Sequence, residues 1–109
     1  MVWLAVIVAG LLEVGFAVCL KASDNFTRPL PSVGFVAFAA ASFGLLSWAL
    51  ARGVPIGSAY AAWTGIGAAG TALLGMTAFG DPATLARGMA IALIIGGVVL
   101  LNVSSAGAA

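Results

Sequence analysis

The carboxylate of Glu13 is the group of this chain that is most readily expected to do chemistry. Glu13 interrupts a run of apolar residues that extends from Val2 to Leu20. A charged side chain at the centre of a bilayer costs about 2.5–3.5 kcal/mol on insertion scales. A carboxyl group there can hold a proton or, once ionised, a cation, and the two exclude one another. Glu13 therefore predicts proton/cation exchange; the structural alternative is a protonated carboxyl group that joins two helices by hydrogen bonding.

Small residues surround Glu13 on the same face of its predicted helix. Gly10 precedes it by three residues, and Ala9 and Ala17 lie four residues to either side. Such residues let another helix or a ligand approach closely. Phe16 lies three residues further on, also on this face. Ordinary helix packing explains Ala9 and Ala17 equally well.

An aromatic pair in the third apolar run forms a second candidate feature. Tyr60 and Trp63 are three residues apart and share a helix face. Aromatic rings attract cations, and a tyrosine hydroxyl can donate to a carboxylate. An aromatic belt at the membrane surface is the alternative, and it fits Tyr60 better than the more central Trp63.

Glycine and alanine patterns predict where helices come close. Gly65, Gly67 and Gly70 match G-x-G-x-x-G, but a dinucleotide site needs a preceding strand, and these glycines lie inside an apolar run. They predict close helix contact and, at Gly65 and Gly67, a deformable point that serves conformational change. A second stripe, repeated every four residues, predicts contact between subunits and comprises Gly88, Ala92 and Gly96.

These residues must be positioned by membrane helices, because the chain has too few polar residues to be a soluble domain. Of 109 residues, 6% are charged and 63% hydrophobic, whereas soluble domains are about 25% charged. Four apolar runs of membrane-spanning length cover residues 2–20, 32–51, 57–79 and 86–103. The sequence thus predicts a single all-α domain of four transmembrane helices in a lipid bilayer, with Arg28-Pro-Leu-Pro31 in the first loop.

The remaining composition excludes several classes of partner. A net charge of +1 excludes a nucleic-acid surface, which needs many clustered Lys and Arg residues. With no His and the single Cys19, we expect neither a metal site nor a cofactor. Loops one and three carry Lys21, Arg28 and Arg87, whereas loop two carries only Arg52, which predicts cytoplasmic loops one and three.

Three segments resemble the small multidrug resistance (SMR) family of transporters, and they cover most of the chain in order. The first helix of that family resembles Ala9-Gly10-Leu-Leu-Glu13-Val together with Ala17 and Leu20-Lys21. Its first loop resembles Phe26-Thr-Arg28-Pro-Leu-Pro31-Ser32-Val. Its third helix resembles Pro55-Ile-Gly57-Ser-Ala-Tyr60-Ala-Ala-Trp63-Thr64-Gly65-Ile-Gly67-Ala-Ala-Gly70, and Trp63-Thr64 is similar to the guanidinium-exporter subtype.

The resemblance implies a transporter rather than an enzyme, in the bacterial inner membrane. It implies an antiparallel dimer of four-helix subunits with two facing glutamates, and proton-coupled export of guanidinium or small substituted guanidinium cations by alternating access. By position, Glu13 binds proton and substrate in competition, Trp63 lines the pocket, and Tyr60 and Ser42 hydrogen-bond near Glu13. From the residues alone, Ser42 can equally bond to its own helix. The predicted pocket also includes Phe16 and Gly10.

Departures from the subtype keep alternatives open. Phe16 stands where the subtype usually has Trp, Asn102 where Lys is common, and Arg52-Gly53 lengthens the second loop. An exporter of quaternary or aromatic cations is one alternative. These departures and the three-to-one charge bias keep another open beside a homodimer, namely one subunit of a heterodimer with a related chain. A subunit that is inactive alone is the third.

Overall fold

The computed structural model describes the backbone of residues 2–108 and the side chains of residues 2–104. Four helices fill this part of the chain: α1 (Val2–Ala22), α2 (Pro29–Ala51), α3 (Ile56–Ala78) and α4 (Leu85–Ala108). Short connections make neighbouring helices run in opposite directions. The predicted all-α, four-helix fold class is confirmed.

Three of the helices are long and apolar enough to cross a membrane by length and composition: Val2–Ala22, Pro29–Ala51 and Leu85–Ser104. The helix α3 is equally long, but glycines and hydroxyl-bearing residues lower its hydropathy. It also supplies the largest share of buried residues, because α1 and α4 both pack against it. The least apolar helix is thus the one best shielded by its neighbours.

The start of α2 differs from the sequence prediction. Pro29 and Pro31 lie in the first turn of the helix rather than in the loop, so that expectation is wrong. Proline fits there because the first helical N–H groups have no partner within the helix, and its fixed φ suits the helix. Arg28 precedes the helix in an extended conformation, and its carbonyl accepts a 2.6 Å hydrogen bond from the Ser32 hydroxyl.

The core lies where α1 passes between α2 and α3. Alanines dominate this core, so the helix axes come close. A Cβ atom on Gly10 would lie 2.8 Å from the Cβ and Cγ2 atoms of Ile66 and 3.2 Å from the carbonyl oxygen of Trp63. Gly10 therefore sets the distance between α1 and α3. By contrast, α4 packs mainly against α3.

Loop one contains three consecutive residues with left-handed backbone angles. Asp24, Asn25 and Phe26 have φ values of 49°, 61° and 66°. Residues other than glycine seldom adopt this region, least of all a bulky one. The turn is stabilised by the buried Ser23, whose hydroxyl donates to the Leu20 carbonyl at 2.7 Å and accepts from the Phe26 N–H at 3.1 Å.

The close approach at Gly10 makes a stability prediction. Gly10→Ala should lower the free energy of unfolding by about 1–3 kcal/mol, because Ile66 is branched at Cβ and cannot withdraw easily. Gly44→Ala is the matched control, since no atom lies within 4 Å of its added Cβ, and it should raise stability by up to about 1 kcal/mol. Thermal unfolding in detergent measures both. Equal behaviour of the two variants would contradict this account of the α1–α3 contact.

Candidate functional site

The Glu13 carboxylate lies between α1 and α3, against the backbone of Gly67. The Oε1 atom is buried and has no hydrogen-bond partner among the described residues of the subunit. A buried acceptor without a donor costs about 1–3 kcal/mol, and more when it is charged. The described part of the subunit therefore supplies no donor to offset the burial of this oxygen.

Gly67 is required here by space rather than by backbone conformation. A Cβ atom at this position would collide with the Glu13 carboxylate group. Gly65 lies on the other side of α3, where a Cβ would come within 2.8 Å of Val98 and 3.3 Å of Ile94. Both glycines thus mediate close contacts, while α3 continues through them as a helix. Their role as a deformable point remains a prediction.

Two of the predicted pocket side chains, Ser42 and Trp63, are hydrogen-bonded to one another. Ser42 is fully buried, and its hydroxyl donates to the Ala9 carbonyl of α1 at 2.6 Å. The Trp63 indole N–H donates to the same hydroxyl oxygen at 2.8 Å. This link joins α1, α2 and α3 one turn before Glu13. The structure thus shows Ser42 bonding across helices rather than back to its own helix.

Tyr60 and Trp63 contact one another as their spacing predicts, but they differ in exposure. Their ring centroids are 5.5 Å apart, and Trp63 is 5% exposed whereas Tyr60 is 58% exposed. Tyr60 lies at the rim of a 590 Å³ apolar groove between α3 and α4 that Gly65 and Leu93 also line. Neither Glu13 nor Trp63 lines this groove.

Phe16 belongs to a row of aromatic rings that begins at Phe26 in loop one and ends at Trp63. Its ring meets Phe35 edge-on at 5.6 Å and stacks on Phe43 at 6.3 Å. The centroid of the Phe43 ring in turn lies 5.0 Å from that of the Trp63 ring, and Phe43 is 52% exposed. Sequence analysis missed Phe43, because its contacts with Phe16 and Trp63 cross between helices.

The small-residue stripe of α4 faces away from the rest of the subunit. Gly88, Ala92 and Gly96 are exposed, and no atom of the described side chains lies within 4 Å of a Cβ built on either glycine. The structure therefore leaves the stripe free for a contact outside the subunit. The role of Gly10 in a substrate pocket stays a prediction. In this structure Gly10 is buried where α1 contacts α3.

Comparison with known proteins gives consistent matches along the chain. A family model described as Small Multidrug Resistance protein matches residues 1–94. A protein named "Guanidinium exporter" from Proteus vulgaris is 45% identical over 105 residues, which cover 96% of this chain and 100% of the relative. Proteins of the same name from Yersinia pestis (46% identical) and Salmonella typhimurium (44%) cover 96% of this chain and 100% and 99% of themselves.

The Ser42–Trp63 link makes a prediction for a double-mutant cycle. Ser42→Ala should cost about 1–3 kcal/mol of stability, because the buried indole N–H loses its acceptor. Trp63→Phe removes that donor, so adding Ser42→Ala to it should cost less, with a coupling energy of about 1 kcal/mol. Thermal unfolding of the four proteins in detergent gives the value. Additive costs would mean that the hydrogen bond does not stabilise the fold.

Proposed function

The chain belongs to the small multidrug resistance family and is a multi-pass inner-membrane exporter, and we propose that it exports guanidinium or small substituted guanidinium cations in exchange for protons. The observation that carries this proposal is the half-buried Glu13 side chain, whose Oε1 atom is buried and has no partner among the described residues and whose carboxylate lies against Gly67. The names of its relatives support the choice of cation.

Guanidinium suits this carboxylate for geometric reasons. It is planar, it is always protonated at physiological pH, and its paired N–H groups match the two oxygens of a carboxylate. The Trp63 indole N–H donates to the Ser42 hydroxyl, and that hydroxyl donates to the Ala9 carbonyl. Neither group therefore donates to Glu13. A cation that brings its own N–H groups satisfies the unpartnered oxygen, whereas a quaternary ammonium ion does not.

Exchange follows from single occupancy of the carboxylate. A proton on Glu13 removes the charge that holds the cation, and a bound cation holds the carboxylate in its ionised form. If the site faces one side of the membrane at a time, each exit of a cation leaves a carboxylate to be protonated from outside. The inward proton gradient then drives export, because protonation is favoured on the outer side.

We propose that the working unit is an antiparallel dimer. One subunit of four helices, with α4 attached mainly through α3, does not enclose the carboxylate. The stripe of Gly88, Ala92 and Gly96 offers a flat surface on which a second α4 can pack. Two Glu13 carboxylates would then face one site, and alternating access would exchange the environments of the two subunits.

The charge distribution supports a heterodimer as a second candidate assembly. Lys21 in the last turn of α1, Arg28 in loop one and Arg87 in the first turn of α4 lie at one end of the subunit. Arg52 lies at the other end, where its guanidinium carbon is 4.5 Å from the centre of the Trp48 ring. A fixed orientation in the membrane would prevent this chain from pairing antiparallel with itself. Crosslinking of the chain expressed alone separates the two assemblies.

Glu13 gives the central prediction. In proteoliposomes an imposed guanidinium gradient should drive protons in the opposite direction, and Glu13→Gln should abolish this flux, because an amide can neither ionise nor release a proton. Asp24→Asn is the matched control, since it removes an exposed loop carboxylate, and it should transport as the unmodified chain does.

Two outcomes would contradict the proposal. Proton flux that survives Glu13→Gln would remove the carboxylate from the mechanism. Equal or larger flux with a tetraalkylammonium gradient would favour an exporter of quaternary cations, for which the exposed Phe43 beside Trp63 offers an aromatic surface.

The α4 stripe gives a separate prediction for assembly. Gly96→Val should shift the protein from dimer to monomer, because a branched side chain prevents close approach of two helices. Ala90→Val lies on a different face of α4, two residues from the stripe, and should leave the dimer intact. Crosslinking in membranes reads out both variants. A dimer that tolerates Gly96→Val as well as Ala90→Val would place the interface elsewhere.

A further inference from the structure

Loop one combines backbone strain with a buried polar side chain. Its residues Asp24, Asn25 and Phe26 have consecutive left-handed φ angles, and none of them is glycine. Aspartate and asparagine tolerate this region because their short side chains can bond locally, whereas phenylalanine there is an outlier. Such strain persists where surrounding contacts enforce it, and it clusters at switch regions. We call these three residues the left-handed turn.

Ser23 supplies the contacts that enforce the left-handed turn. Its side chain is fully buried, and its hydroxyl bridges the Leu20 carbonyl and the Phe26 N–H. Its own carbonyl accepts from the N–H groups of Thr27 and Arg28 at 2.9 and 3.1 Å. Ser23 therefore ties the last turn of α1 to the residue that precedes α2.

Phe26 connects the left-handed turn to the surroundings of Glu13. Its ring meets Phe35 of α2 edge-on, with the ring centroids 5.5 Å apart. Phe35 in turn meets Phe16 of α1 edge-on at 5.6 Å, and Phe16 follows Glu13 by three residues. A movement of Phe26 therefore changes the packing of a ring that lies one helical turn from the carboxylate.

The two halves of the α1–α2 contact are held differently. On the loop-two side of Glu13, the Ser42 hydroxyl donates to the Ala9 carbonyl and fixes the two helices to one another. On the loop-one side they meet through apolar atoms, as where the Phe38 ring packs against Gly15. The loop-one ends of α1 and α2 can therefore part when the left-handed turn unwinds, while the opposite half stays joined.

We propose that the left-handed turn is a gate, which closes the loop-one end of the subunit in this structure and unwinds when the site becomes accessible from that end. This inference rests on the proposed function, in which the site faces one side of the membrane at a time. Unwinding returns Asp24, Asn25 and Phe26 to ordinary backbone angles, so the released strain offsets part of the cost of the broken hydrogen bonds. Phe26 leaves Phe35 in the same step, which loosens the packing around Phe16. The strain thus keeps the closed and open states close in free energy.

Two substitutions at Asn25 test the gate in opposite directions. Asn25 is exposed, so both substitutions act mainly through the backbone. Asn25→Gly relieves strain in the closed turn, and we expect it to raise the midpoint of thermal unfolding and to slow guanidinium exchange about twofold. Asn25→Ala adds strain, so it should lower the midpoint and speed exchange about two- to fivefold, because more molecules populate the open state. Exchange of radiolabelled guanidinium across proteoliposomes and thermal unfolding in detergent measure the two quantities.

Ser23→Ala opens the gate by a different chemical change. It removes the hydroxyl that bridges the Leu20 carbonyl and the Phe26 N–H, so it should lower the midpoint and speed exchange as Asn25→Ala does. The matched control is Ala83→Gly, in the exposed connection between α3 and α4, where φ is not positive. It loosens a loop without relieving left-handed strain, and it should leave the exchange rate unchanged.

Hydrogen exchange at two backbone amides follows the gate without any transport. The N–H groups of Thr27 and Arg28 are bonded to the Ser23 carbonyl in the closed turn, so unwinding exposes them to water. Their protection should fall in Asn25→Ala and in Ser23→Ala, and it should rise in Asn25→Gly.

The outcomes separate the gate from the function on which it rests. If midpoints and amide protection shift while guanidinium exchange stays constant, the turn is a static part of the loop and the gate is wrong. If exchange slows in all three variants of loop one, the loop must keep its shape during transport, and the gate is again wrong. Equal amide protection in the three variants overturns the gate alone. A chain that exchanges no guanidinium before any substitution overturns the proposed function, and the gate with it.

Discussion

The distance between α1 and α3 is the constraint on which the rest of this subunit depends. Gly10 lets the two helices touch at Ile66, and Gly67 leaves room for a carboxylate a turn further along. The same approach that packs the helices therefore places the half-buried Glu13 carboxylate against the backbone of α3. Any side chain at either glycine would separate the helices or displace the carboxylate, so packing and chemistry cannot be varied independently here.

The hydrogen-bond arrangement sharpens this constraint. Ser42 and Trp63 satisfy each other and the Ala9 carbonyl, which fastens three helices together just before Glu13. The donors of Ser42 and Trp63 thereby serve the structure, and the Oε1 atom of Glu13 has no partner among the described residues. Such an acceptor is costly inside a membrane protein, and under the proposed function the guanidinium N–H groups or a proton would offset that cost.

Sequence patterns predicted the helices, the buried carboxylate and the aromatic pair, because each depends on residues close together along one helix. They did not predict that Gly67 contacts Glu13, that Phe43 joins Phe16 to Trp63, or that Asp81 folds back against Gly75. These contacts cross between helices or across a turn, and one-dimensional periodicity does not record which faces meet. The prediction for Pro29 and Pro31 was wrong for a local reason: proline is common both in loops after a helix and in the first turn of the next helix.

The attachment of α4 has a mechanical consequence. Within the subunit α1, α2 and α3 form one interlocked body, whereas α4 meets α3 along a seam where Gly65 contacts Val98 and Ile94 through apolar atoms. Contacts of this kind resist sliding far less than hydrogen bonds that cross between helices. The α3–α4 seam is therefore the interface within the subunit that offers the least resistance to a sliding displacement.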